Sequence, residues 1–452
     1  MTSLPLLAHS DPDQAVAHRR DGAISARQFL ADVRGLAAAL PAGKHLLNVC
    51  SDRYRFAVGL AAGLVSGRIS LLPSTHTPET VRQLLALAPD VFCLTDQADE
   101  KIALPKCHYP TEAFAADPDH YEVPLIDVGQ TLALVFTSGS TGLPVPHRKT
   151  WGHVVGNVGN AARCLGADAP PCHLVGTVPP QHMYGLESTV LLPLLTGGSY
   201  WAGRPFYPAD IADALAAMPQ PRALISTPVH LRTLVDAASD GLPLARTGLI
   251  LSATAPLSID LARRAEAALG GTLKEIYGCT ETGQLATRQP SVSPEWSCFS
   301  EIELDHQGET TIASGPHIEG RIALGDVLEI CAEGRFILHG RHADLINIAG
   351  KRTSLAYLNH QLTTIPGVVD GTFFLPDDEA VDGVTRLCAC VVAPGLDRRS
   401  IDRALRQRID PTFLPRPLHL VDRLPRNATG KLPRPALRDF IARLDTPTGG
   451  AA

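Results

Sequence analysis

The chain alternates short apolar runs with amphipathic stretches. Residues 132–136, Leu-Ala-Leu-Val-Phe, form an unbroken apolar run, which predicts a buried strand. Upstream, Phe29, Leu30, Val33, Leu36, Ala37 and Leu40 recur at helical spacing behind Ser25-Ala26-Arg27-Gln28, the pattern of a capping box. Strands are expected at 45–50, 69–72 and 91–94, and a helix at 56–65. Another helix is expected from Pro78, the first-turn position where proline is tolerated, with Thr77 as its cap. Downstream the pattern predicts a helix at 151–165 and strands at 173–178, 223–226 and 249–252. A helix at 258–269, stopped by Gly270-Gly271, precedes a strand at 273–277. Repeated strand-then-helix units imply an α/β fold, with mostly parallel sheets flanked by helices and ligands at the C-terminal strand ends.

Near Arg341 the texture changes. Short strands at 371–375 and 386–392 and helices at 401–409 and 435–444 lie in a more basic segment. The division expected is a large N-terminal domain, 1–340, and a small α+β C-terminal domain, 341–452. Residues 445–452 are small and polar, as in a frayed tail. No internal repeat or low-complexity tract is visible.

Composition narrows the classes. With 452 residues, 45% hydrophobic and 19% charged, the chain can bury the core of more than one domain. A net charge of -6 and a pI near 6.3 give no electrostatic case for nucleic acid or an anionic membrane surface. Ten scattered cysteines without paired Cys-x-x-Cys units argue against structural zinc and for a reducing compartment. The N-terminus has no basic-then-apolar leader, and no apolar run is long enough to span a bilayer. The expected location is the cytoplasm.

Candidate chemistry starts where the 132–136 run ends. Thr137-Ser138-Gly139-Ser140-Thr141-Gly142 are all small, and Arg148 and Lys149 follow. Glycines let backbone approach a ligand, and successive N–H groups with hydroxyls form an anion cradle. The competing reading is an ordinary Ser/Gly turn. No Gly-Lys-Ser/Thr closes the loop, which opposes a P-loop phosphotransferase. Further along stand Tyr277-Gly278-Cys279-Thr280-Glu281, Gly325-Asp326, a glycine-punctuated polar segment at 340–352, and Asn427-Ala428-Thr429-Gly430-Lys431-Leu432.

In this order and over this range, these motifs resemble the core motifs of the adenylate-forming superfamily of acyl- and aryl-CoA synthetases, adenylation domains and luciferase. The resemblance implies a small mobile C-terminal lid over the active site, with ATP and Mg2+ as cofactors. It also implies that a carboxylic acid is joined to AMP and then passed to a thiol. It assigns the phosphates to residues 137–142, and the α-phosphate to Thr280. Mg2+ falls to Glu281, and the ribose to Asp326 and Arg341. The adenine is flanked by Ala253-Thr254-Ala255-Pro256 and Tyr277-Gly278. Lys431 bridges carboxylate and phosphate, and Gly350, Lys351 and Arg352 serve the thiol side, Arg352 also being counted with the nucleotide.

Pro179-Pro180-Gln181-His182-Met183-Tyr184-Gly185 matches the family's acyl-pocket motif, in which Gly278 also takes part. His182 would sit near the carboxylate; the plainer alternative is a hydrogen-bonded loop histidine. Met183 stands where amino-acid-activating relatives usually carry Asp, so amino acids are disfavoured. The stretch 137–151 looks like compact stand-alone ligases of aryl-polyene and xanthomonadin-type pigment pathways. That likeness implies a hydroxybenzoate-like acid and an acyl carrier protein or CoA as acceptor. Alternatives are a medium-chain or β-hydroxy fatty acyl ligase, and a non-catalytic nucleotide-binding member of the fold. The family pattern is broken at Val145, where lysine is usual, at Ala343, where the hinge usually has Asp or Lys, and by a short N-terminal domain. Arg148 and Lys149 are candidates for the missing charge, or, with His147, a solvated helix start.

Overall fold

A computed structural model describes residues 2–73, 75–138, 144–255, 257–308, 310–341, 345–348, 351–375, 387–427 and 430–445. The caps expected at Ser25 and Thr77 are present, and Ser258 supplies a third. Ser25 accepts from the Gln28 amide at the start of the helix Ala26–Ala39. Thr77 accepts from Thr80 before the helix Pro78–Leu87, and Ser258 from Leu261 before Ile259–Leu269. Gly270 ends the last of these in a left-handed conformation, φ 72°.

Two large sheets follow from the alternation. A six-stranded sheet contains His45–Asn48, Ile69–Leu72, Phe92–Thr95 and Thr131–Ser138 in parallel, with Pro144–Thr150 antiparallel at one edge. An eleven-stranded sheet has a parallel centre that includes His173–Gly176, Arg222–Ser226, Leu249–Ser252 and Thr272–Cys279. Antiparallel strands extend it at both sides, Gly283–Arg288 pairing next to Thr272–Cys279. The central strands are buried along their length, which is why they read as continuous apolar runs.

Beyond Ile346, Leu358, Leu362, Phe373, Val391, Ile401 and Leu405 form an apolar cluster of their own. They pack a sheet of Asp370–Phe374, Cys388–Val392 and Leu418–Leu420 against the helices Leu355–Thr363 and Arg398–Arg406. The final helix runs over Arg434–Asp445. Among the described residues, no helix is long and apolar enough to cross a membrane.

Two stretches differ from the sequence expectation. Residues 147–149 lie on the edge strand Pro144–Thr150, not at a helix start. An edge tolerates Pro144 and Pro146, whose missing N–H groups need no partner there. Residues 183–196 are helical, with a π-helical turn at Glu187–Leu191. Nearly every side chain in this run is buried, so no polar face marked its period.

One buried cation braces the two sheets. Arg53 is fully buried, donates to the carbonyls of Gly176 (2.7 Å) and Val178 (3.1 Å), and also reaches the Thr189 hydroxyl. Burial pulls its guanidinium down to about 10. Arg53→Met removes the donors from both carbonyls. Urea denaturation of the variant should show a loss of about 2–4 kcal/mol.

Candidate functional site

The site lies at the C-terminal ends of parallel strands, where open α/β sheets bind ligands. Leu249–Ser252 and Thr272–Cys279 are adjacent and in register. Their ends deliver Ala253-Thr254-Ala255 and Tyr277-Gly278 side by side. Thr254 adopts φ 76°, a left-handed conformation that is strained for a β-branched residue and tends to cluster at ligand sites. Tyr277 packs on Trp296 and Phe336 and donates its hydroxyl to Asp326 Oδ2 at 2.8 Å. Asp326 and Arg341 are Cα partners across an antiparallel pair. The two residues assigned to the ribose therefore sit opposite one another, although the Arg341 side chain lies outside the described residues.

Thr280 and Glu281 occupy the tight connection between Thr272–Cys279 and Gly283–Arg288, both half-buried. Gly278 is required there, since a Cβ would lie 2.2 Å from the Gly283 carbonyl oxygen. The strand Thr131–Ser138 ends beside this turn. His147 Nε2 is 2.9 Å from the Thr137 hydroxyl and 3.5 Å from Glu281 Oε1. Lys149 is 7% exposed and donates to the Glu281 carbonyl at 3.1 Å. Burial lowers the Lys149 pKa, opposed first by the negative charge of Glu187. Arg148, in contrast, is exposed and pairs with Glu319 at 2.5 Å.

The acyl-pocket motif folds tightly back on itself. A Cβ on Gly185 would fall 2.0 Å from the Pro179 carbonyl oxygen. The Tyr184 hydroxyl lies 3.1 Å from the Ser226 carbonyl and 3.0 Å from that of Leu251, anchoring the loop to two strand ends. Met183 is buried and lines a cavity of about 20 Å³ with Lys149, Glu187 and Glu281.

His182 precedes the helix Met183–Leu186, and its Nε2 lies 3.4 Å from Lys431 Nζ. Burial and then the Lys431 charge hold the imidazole down at about 4. His182 is therefore neutral at pH 7 and accepts from the ammonium, which puts its own proton on Nδ1. That Nδ1 is buried without a hydrogen-bond partner. Lys431 itself sits on a braced turn. Asn427 accepts from the Lys431 amide (2.9 Å) and donates its own to the Lys431 carbonyl (2.8 Å). Arg426 donates to the Gly430 carbonyl at 2.9 Å and pairs with Asp370 through Nε at 2.7 Å. Gly430 adopts φ 77°, and a Cβ there would lie 3.5 Å from Val229.

Several sequence assignments lie outside the described residues: Gly139, Ser140, Thr141, Gly142, Pro256, Gly350, the hinge position Ala343, and the side chains of Ser138, Lys351 and Arg352. The sequence reading missed Arg53, Glu187 and Asp370. None belongs to a motif, and only long-range pairing gives each a role.

The family model for AMP-binding enzymes matches residues 7–311. The chain belongs to the AMP-binding enzyme family. Among the relatives of this AMP-binding enzyme is a salicylyl-CoA synthase / salicylate adenylyltransferase of a Streptomyces species. It is 27% identical over 363 residues, covering 70% of this chain and 64% of that protein. The 4-coumarate–CoA ligase of Rhodobacter capsulatus is 31% identical over 278 residues, covering 61% and 68% respectively. The chain thus spans about two thirds of these relatives' length. In fold, it superposes on o-succinylbenzoate CoA synthetase from Bacillus subtilis with its acyl-adenylate, at TM-score 0.79, 19% identity and 98% coverage of both chains. ATP-bound MatB from Rhodopseudomonas palustris gives TM-score 0.79 at 18% identity, covering 97% of each chain.

If Lys431 holds His182 neutral, Lys431→Met should move the imidazole midpoint upward from about 4. It should stay below the ordinary value, because burial is the larger cause. NMR titration of the ring resonances reads this directly, and a downward shift would contradict the contact.

Proposed function

We propose that this AMP-binding enzyme is an ATP- and Mg2+-dependent acid–thiol ligase. It adenylates an aryl acid of the hydroxybenzoate kind, then passes the acyl group to a pantetheine thiol of an acyl carrier protein or CoA. The observation that carries the reading is the 3.4 Å contact between Lys431 Nζ and His182 Nε2. Residues 249 positions apart are brought together, which supports assigning the carboxylate and the α-phosphate to this point. The aryl acids in the relatives' names support the substrate class, and so does Met183, which offers no anion to a substrate ammonium.

The first step joins two anions, a carboxylate oxygen and the α-phosphorus. The bond from that phosphorus to the bridging oxygen breaks, and pyrophosphate leaves with the electron pair. The difficulty is charge, and fixed cations and donors answer it. Lys431, as a point charge, would draw the carboxylate and α-phosphate oxygens together. Thr280 would donate to the α-phosphate. Thr137 and the loop after it would take the leaving phosphates, and Asp326, already oriented by Tyr277, would accept from the ribose hydroxyls. The donor set fits a metal that arrives with nucleotide: Glu281 offers one carboxylate, and Mg2+ typically takes one or two plus phosphate oxygens and waters. Bound there, Mg2+ would neutralise phosphate charge. In the second step the thiolate sulfur attacks the acyl carbon and AMP leaves. Rotation of the small lobe about a hinge near 341–345 would replace Lys431 with the 350–352 segment.

A pyrophosphate-release assay over benzoates, cinnamates and medium-chain or β-hydroxy fatty acids tests the substrate class. Faster turnover of fatty acids than of every aryl acid would favour the fatty acyl alternative. ATP binding with no acyl-AMP from any acid would favour a non-catalytic member. Lys431→Ala should cut adenylation by roughly 100- to 1,000-fold yet spare thiolation of supplied acyl-AMP. Equal loss of both steps would contradict the rotating lobe.

A further inference from the structure

We propose that Lys149 is a positioning residue of the nucleotide site. From the edge strand, it fixes the main chain of the Glu281 turn against the buried Glu187 and so orients the Glu281 carboxylate. The proposal rests on the reading that Glu281 receives the metal bound to ATP.

Four observations carry it. The Lys149 ammonium donates to the Glu281 carbonyl at 3.1 Å. Lys149 and Glu187 are 7% and 3% exposed and line one small cavity with Glu281, Met183 and His317. Glu187 begins the π-helical turn that continues from the helix after His182, and such turns are frequent at functional sites. The hairpin bearing Glu281 is also pinned from below, Asn157 donating to the Gln284 carbonyl at 2.8 Å and Gln284 to Ser188 at 3.0 Å.

Lysine and glutamate are rarely fully buried, and Lys149 and Glu187, which line one cavity, act on each other electrostatically rather than through a direct salt bridge. Replacing a buried ion pair with apolar residues of similar size is often neutral or stabilising. Opposite charges kept only for stability could therefore be exchanged without consequence for the ligand, whereas a lysine kept for position could not. The geometry favours position, because the cation grips the backbone of the very residue that presents the carboxylate. The lysine also borders one cavity with Met183 and Glu187 of the segment after His182, so that one buried cation faces both parts of the site. Arg148, the alternative source of charge, is exposed and already paired with Glu319.

The test compares Lys149→Met, Lys149→Arg, the double variant Lys149→Met/Glu187→Leu, and Glu281→Ala. ATP Kd is measured by calorimetry at low and high Mg2+, with KM for MgATP and kcat alongside. The double variant should fold, as read by near-UV circular dichroism. It should raise both the low-Mg2+ Kd and KM for MgATP by about tenfold, with a smaller change in kcat and little change in KM for the acid. Lys149→Arg should recover part of the loss. A folded double variant with unchanged Mg2+ dependence, while Glu281→Ala shifts it, would overturn the role of Lys149 alone. If Glu281→Ala shifts nothing either, the metal assignment falls and this proposal falls with it.

Discussion

The arrangement depends on an ammonium held against a neutral imidazole. Lys431 and His182 come from opposite ends of the fold, and their 3.4 Å separation works only because burial keeps His182 uncharged. A protonated ring there would repel Lys431. The lysine side chain is exposed and long, so its position cannot come from its own packing. It comes from the turn: Asn427 closes it, and the Arg426–Asp370 pair ties it to the first strand of the small sheet. The Lys431–His182 contact itself joins this turn to the large lobe.

The same logic runs through the opposite end of the site. His147 lies between the Thr137 hydroxyl and the Glu281 carboxylate, while Lys149 holds the Glu281 carbonyl. Both reach inward from an edge strand that looked, by composition, like solvated surface. Where lysine is usual, at 145, this chain has an exposed valine. Lys149, four residues on along an antiparallel strand, lies an even number of positions away and leaves on the same face. The period of the strand, which sequence alone did not reveal, separates Lys149 from Arg148.

How legible each part was follows from its physics. Caps at Ser25 and Thr77 are local hydrogen bonds and were legible, although the Gln28 side chain turns to Asp32 and Phe114 and leaves the capping box half formed. Parallel core strands are apolar on both faces, so 223–226 and 249–252 were visible as runs. Tyr277 and Asp326 were marked by motif, and their 2.8 Å bond adds the orientation that a motif lacks. The helical run 183–196 was missed because burial on all sides erases amphipathic period. Arg53, Glu187 and Asp370 were missed because their partners lie far along the chain, Arg53 on the Gly176 and Val178 carbonyls, Glu187 near Lys149 and Asp370 on Arg426, and such contacts leave no sequence signal.

The strained Thr254 and the tight Gly278 and Gly185 approaches point one way. Thr254 and Gly278 lie at the ends of central strands, and Gly185 lies in the short helix Met183–Leu186 that packs back on Pro179. A left-handed threonine costs about 1–3 kcal/mol, and a glycine inside a strand forgoes packing. A fold selected only for stability would relieve both. Their concentration beside a buried lysine and an imidazole kept neutral marks this part of the surface as one held in shape at a cost in stability.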